Sequence, residues 1–106
     1  MNDQVIGLVG DSKALNSKIV SLPRLLILAS LENLDEDGAT YRELKAGLEM
    51  DDGILYSNLK ALEAMGYLIE REIKLGKKKM ASYCITDEGK QAFNAVKRWF
   101  KAWLRG

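Results

Sequence analysis

The residues best placed to do chemistry in this 106-residue chain are cations, and they are clustered. Arg71, Lys74, Lys77, Lys78 and Lys79 put five positive charges into nine consecutive positions. Such a cluster suits a polyanion, because each cation near a phosphate releases condensed counterions without touching a base. The same run would also serve as a solubilising turn that blunts an edge strand. Bond-making chemistry has far less to draw on. With no His and one Cys, the chain lacks His-based acid–base catalysis, Ser-His-Asp and Cys-His nucleophiles, and His-ligated or Cys-rich metal sites. Residues 35–40 miss the glycine position and the bidentate Glu of a calcium loop, and 7–13 do not meet the phosphate-loop spacing. No enzyme activity, cofactor or metal is expected. Cys84, between Tyr83 and Ile85, reads as a buried thiol, with redox sensing as the alternative.

The composition, 47% hydrophobic and 29% charged, is that of one globular domain able to bury a core. A lone Cys points to a reducing compartment. No stretch approaches the roughly 18 apolar residues of a membrane span, and Asp3 and Asp11 stand where a signal peptide carries basic residues. A cytoplasmic location is expected. The near-neutral net charge conceals a polarity: residues 1–65 hold six basic and eleven acidic residues, whereas 66–106 hold ten and four. A basic half attracts polyanions even in a neutral chain.

The elements that must position these cations follow from periodicity and punctuation. Residues 1–11 show no clear period and read as a loose arm or a short partner-docking segment. A short helix is expected from Asp11–Ser12, with Leu15, Ile19 and Val20 on one side. Pro23 suits the first turn of a helix over 23–34 that is apolar nearly all round and hence buried. Thr40 and Glu43 form a capping box for the next helix, which buries Leu44 and Leu48 and ends near Gly47.

Asp51–Asp52 cap a helix over 51–65. At 100° per residue, Leu55, Leu59, Leu62 and Gly66 fall within about 40° of one direction. Gly53, Ser57, Lys60 and Ala64 lie opposite, and Ile54 and Tyr56 sit on the borders. The segments 67–75 and 80–86 read as strands around the basic tip 76–79. Thr86 or Asp87 caps a last helix reaching about Leu104.

Helix, helix, turn, helix, hairpin, long helix is the order of a winged helix-turn-helix. The chain resembles the archaeal and bacterial winged-helix transcriptional regulators related to the MarR and ArsR groups. The matching residues are Pro23–Leu28, Tyr41–Leu44, Asp52–Glu63, Gly66–Ile69 and Tyr83–Lys90. The combination of Leu59-x-x-Leu62-x-x-x-Gly66-Tyr67-Leu68-Ile69 with Thr86-Asp87-Glu88-Gly89 is the specific part.

The resemblance implies an α+β, mostly helical fold with a two-stranded β-hairpin wing and a long C-terminal helix. It further implies a homodimeric, sequence-specific binder of double-stranded DNA that regulates transcription. Helix 51–65 would enter the major groove and the wing, 74–79, would follow the backbone. Domain 12–90 would bind DNA, and helix 87–106, part of the same single domain, would dimerise. The expected DNA contacts are Gly53, Ile54, Tyr56, Ser57, Lys60, Arg71, Lys74, Lys77, Lys78 and Lys79. Relatives tend to carry Asn, Arg or His near the positions of Ile54, Ser57 and Asn58, so guanine readout by a bidentate Arg is missing here.

The last helix carries a stripe of Phe93, Val96, Phe100, Trp103 and Leu104, with Trp99 beside it. These six residues are expected at a dimer seam. Packing onto the chain's own core and a membrane-surface role, with Lys97, Arg98, Lys101 and Arg105 on other faces, are the alternatives. A second function class is a protein–protein interaction module, since fold alone does not fix function. It draws on the acidic N-terminal half and the weakly polar face of helix 51–65, while Glu49, Asp51 and Asp52 at the start of that helix argue against DNA there.

Overall fold

A computed structural model describes residues 1–105. The order of elements is α1 (Asp3–Ser12), a 3-10 turn (Ser17–Ile19), α2 (Leu22–Leu31), β1 (Ala39–Thr40), α3 (Tyr41–Leu48), α4 (Asp52–Ala64), β2 (Leu68–Leu75), β3 (Lys78–Ile85) and α5 (Asp87–Leu104).

The apolar stripes read from the sequence meet in one core. Ile27, Leu28 and Leu31 of α2, Leu44 of α3, Leu55, Leu59 and Leu62 of α4, Leu68, Tyr83, Phe93 and Val96 are all buried there. Helix α2 is shorter and less enclosed than expected: it stops at Leu31, and Leu22 and Leu26 face solvent. Thr40 caps α3 through the expected reciprocal pair, Glu43 N–H to Thr40 Oγ1 at 3.1 Å and Thr40 N–H to Glu43 Oε1 at 3.0 Å.

Beyond the hairpin, the sheet gains a strand that the sequence reading placed in a turn. Ala39–Thr40 pairs with Tyr83 and Ser82, giving the antiparallel order β1-β3-β2. Gly38, at φ +64°, makes this approach possible, since a Cβ there would collide with the Tyr83 carbonyl and lie 2.8 Å from Cys84 Sγ. Cys84 is buried, and its thiol donates to the Glu36 carbonyl at 3.2 Å.

The N-terminal reading needs correction. Residues 3–12 are a helix, not a loose arm; Asn2 caps it by accepting from Val5 N–H, and Leu8 is buried. Its partner is α5, where the Trp99 indole N–H donates to the Leu8 carbonyl at 2.9 Å. The helix ends where the sequence suggested one would start, at Ser12. Its outer side leaves Val5, Ile6 and Val9 exposed. The sequence shows no clean period there because two Gly and two Asp interrupt a face only partly covered.

The six residues assigned to a dimer seam also separate. Phe93 and Val96 are enclosed in the protomer's own core, and Phe100 packs against it. Trp99 is committed to α1, so only Trp103 and Leu104, 54% and 82% exposed, remain outward. A helix of 18 residues, about 27 Å long, serves the core with its first half and the surface with its end.

Candidate nucleic-acid interface

Helix α4 stands where α3 and the hairpin can present it. The α3–α4 connection is only Glu49, Met50 and Asp51, and it turns on Glu49, the one described non-glycine residue with positive φ (+53°). Asp51 then caps α4 by accepting from Ile54 N–H at 2.9 Å. Asp52, read from the sequence as part of the cap, does something else. Its carboxylate takes Lys45 Nζ at 3.0 Å and the Tyr41 hydroxyl at 2.8 Å, tying the start of α4 to α3. Lys45, then Tyr41, hold its carboxyl below the ordinary carboxylate range. On the flank, Arg24 Nε donates to Asn58 Oδ1 at 2.9 Å, and its guanidinium reaches the Lys18 carbonyl at 2.6 Å. The sequence reading gave these struts no role, because no short-range spacing links Arg24 to Asn58.

With its inner side fixed, α4 exposes Asp52, Gly53, Ile54, Tyr56, Ser57 and Ala64. Ser57 Oγ turns back to the Ile54 carbonyl at 3.3 Å. Lys60 does not point freely outward. Its ammonium lies 3.0 Å from Glu70 on β2 and 3.5 Å from Glu63 on α4.

The hairpin register pairs Leu68 with Ile85 and Leu75 with Lys78, so the loop is just Gly76–Lys77. Gly76 has φ +65° and Lys77 does not share it, which matches a primed hairpin turn with glycine at its first central position. Lys78 and Lys79, expected in the loop, are therefore strand residues. Alternation divides the cations. Lys74 and Lys79, directly opposite each other, share the face of Glu70, Glu72 and Tyr83. Arg71 and Lys78 occupy the other face with Ile69, Ile73, Leu75 and Met80, and no acid lies on that face of the hairpin. Lys79 is 3.7 Å from Glu72, while Arg71, Lys74, Lys77 and Lys78 form no ion pair among the described residues. The predicted cluster is thus one projecting element with cations on both faces and at its tip.

The base of the hairpin explains why the two specific motifs occur together. Tyr67 accepts from Thr86 N–H at 2.9 Å, and the Thr86 hydroxyl donates to the Gly66 carbonyl at 2.7 Å. The same hydroxyl oxygen accepts from Gly89 N–H at 3.0 Å, capping α5. A Cβ on Gly89 would collide with the Tyr67 carbonyl. The Gly66-Tyr67 and Thr86-x-x-Gly89 segments are two halves of one lock.

This geometry agrees with the comparisons. The model of the winged helix DNA-binding domain matches residues 23–104. The chain belongs to that family. Its winged helix has solved counterparts at low identity. A MarR-family transcriptional regulator from Rhodococcus sp. RHA1 aligns at TM-score 0.63 and 20% identity, over 95% of this chain and 70% of that one. A PadR-like transcription factor from Bacteroides fragilis gives 0.63 and 15%, over 97% and 94%. A PadR-family regulator from Eggerthella lenta DSM 2243 gives 0.59 and 23%, over 92% of each chain. No curated protein matches the chain by sequence. Among the described residues, no helix is long and apolar enough to cross a membrane.

Proposed function

We propose that this winged helix is a cytoplasmic, homodimeric transcriptional regulator that binds double-stranded DNA with sequence preference. One observation carries the reading: α4 offers an exposed, largely uncharged face beside a projecting hairpin whose tip and flanks carry unpaired cations. Gly53 lets the α4 backbone approach a groove closely, Ile54 suits a thymine methyl, and Tyr56 and Ser57 suit bases or phosphates. Arg71, Lys74, Lys77, Lys78 and Lys79 supply the sequence-independent attraction. For self-association the surface is a composite, with Val5, Ile6 and Val9 of α1 beside Trp103 and Leu104 of α5. Two protomers joined through their terminal helices would present two recognition helices to two half-sites.

The test is fluorescence anisotropy on a random 30-base-pair duplex across a salt series, followed by selection for a preferred sequence, with mass measured in parallel. Steep salt dependence, enrichment of a site with two related halves and a dimer mass are expected. Ser57→Ala should change which sequences are preferred while leaving random-duplex affinity intact. Uniform weakening would remove α4 from the groove.

The acids at the start of α4 favour a second reading, a protein-interaction module, since Glu49, Asp51 and Asp52 are all exposed there. Flat, weak binding to duplex DNA at every salt concentration would select it.

A further inference from the structure

The junction between α4 and the wing holds a charged cluster in which carboxylates outnumber cations. Lys60 Nζ sits 3.0 Å from Glu70 Oε1 and 3.5 Å from Glu63 Oε1, with the Tyr56 ring centroid 5.4 Å away. Glu63 Oε1 is buried without a hydrogen-bond partner, so the Lys60 ammonium is what compensates it. Across the strands from Glu70, the buried Tyr83 stands directly opposite on the same face of the hairpin. Burial and the Glu70 carboxylate push the Tyr83 pKa up to about 12. Glu70 above all raises Lys60 to about 12, against the opposing effect of desolvation.

We infer that Lys60 is a strut between recognition helix and wing, not a phosphate ligand, and that Glu63 and Glu70 exclude the DNA backbone from this junction. The inference rests on the DNA-binding reading above. A phosphate reaching for Lys60 would have to break its pairing and lie against two carboxylates, which is repulsive at such range. Backbone attraction is thereby confined to the wing's outer part, roughly 17 Å along β2 from Glu70 to Leu75 at about 3.4 Å per residue. Near α4, binding must then come from uncharged groups such as Tyr56 and Ser57. Glu70 becomes a specificity-determining residue, because it suppresses adhesion of the helix to any sequence.

The test compares the wild type with Lys60→Met, the pair Glu63→Gln/Glu70→Gln, and all three changes together, by anisotropy on random duplex across salt. Lys60→Met should leave the salt slope unchanged. Neutralising both carboxylates frees Lys60, steepening the slope by about 0.9 per engaged protomer, or about eightfold in affinity at 0.1 M salt. Adding Lys60→Met should cancel that steepening of the slope, leaving only the affinity gained by relieving carboxylate repulsion. A slope already flattened by about 0.9 in Lys60→Met alone, or a steepening that survives Lys60→Met in full, overturns the proposal.

Amine labelling of the free protein, read by mass spectrometry, separates this from the functional reading. Lys60 should react more slowly than Lys77, because its ammonium is held between Glu70 and Glu63, and should speed up when Glu63 and Glu70 become Gln. Equal reactivity of Lys60 and Lys77 in the wild type defeats the strut whatever the DNA result. Slow Lys60 with no DNA binding keeps the strut and rejects the function.

Discussion

Helix α4 and the wing treat charge in opposite ways. Every acid and the single cation of α4 are occupied or aligned within the protein: Asp51 caps, Asp52 ties to α3, and Glu63 shares Lys60 with Glu70. Beyond Glu72 the wing has only cations, and just Lys79 meets a carboxylate. The difference separates two tasks that DNA binding combines. Attraction to a phosphate backbone needs mobile, unpaired cations and tolerates imprecision. Reading a groove needs a rigid, closely fitting face, and surplus positive charge there would reward every sequence equally.

The largest effect should come from removing the wing's share. Changing Lys74, Lys77 and Lys78, the wing lysines that form no ion pair among the described residues, together to Gln should flatten the salt slope by about 2.7 per engaged wing and cost several-hundred-fold in affinity at 0.1 M salt, on the order of 0.9 per phosphate contact. Random and preferred duplexes should lose equally in anisotropy titrations. A loss confined to the preferred sequence would break the division of labour.

Next in size is the lock that joins the two regions. Gly89→Ala pushes a methyl into the Tyr67 carbonyl and should lower stability by about 1–3 kcal/mol, the usual range for overpacking. Urea denaturation of the free protein measures it. An unchanged midpoint would mean that α5 shifts freely against the hairpin base, and the wing then has no fixed angle to α4.

The smallest effect concerns the turn into α4. Glu49 holds a left-handed conformation that costs an L side chain about 1–2 kcal/mol. Glu49→Gly should recover about 1 kcal/mol, less the glycine's unfolded-state entropy. It also removes an exposed acid beside the α4 face, so affinity for all duplexes should rise slightly. Thermal melts and anisotropy on one preparation check both.

Legibility from sequence followed the range of the interaction. The helices over 41–48, 52–64 and 87–104, their caps at Thr40, Asp51 and Thr86, and the hairpin were readable because each depends on residues a few positions apart. Strand β1 was not, because two residues leave no period and its pairing with Ser82 and Tyr83 spans over forty positions. Nor was the fate of Phe93 and Val96. A stripe on a long helix looks the same whether its own core or a second copy covers it, and only the fold shows that the core takes the first half. Candidate DNA contacts were legible as residue types. What sets Lys60 apart from Lys77 is Glu70 on another element, which the helical wheel of α4 does not contain.

The two-residue loop at Gly76–Lys77 makes the hairpin a quantised ruler. With no slack at the tip, the arm lengthens only by matched insertions, one residue in each strand, each step adding about 3.4 Å of reach. A single such step also flips the residues beyond it to the opposite side. Two steps restore the original sidedness with about 7 Å more span. Descendants of this chain that reach a more distant stretch of backbone while keeping their cations oriented are therefore expected to differ in hairpin length by four residues, not two.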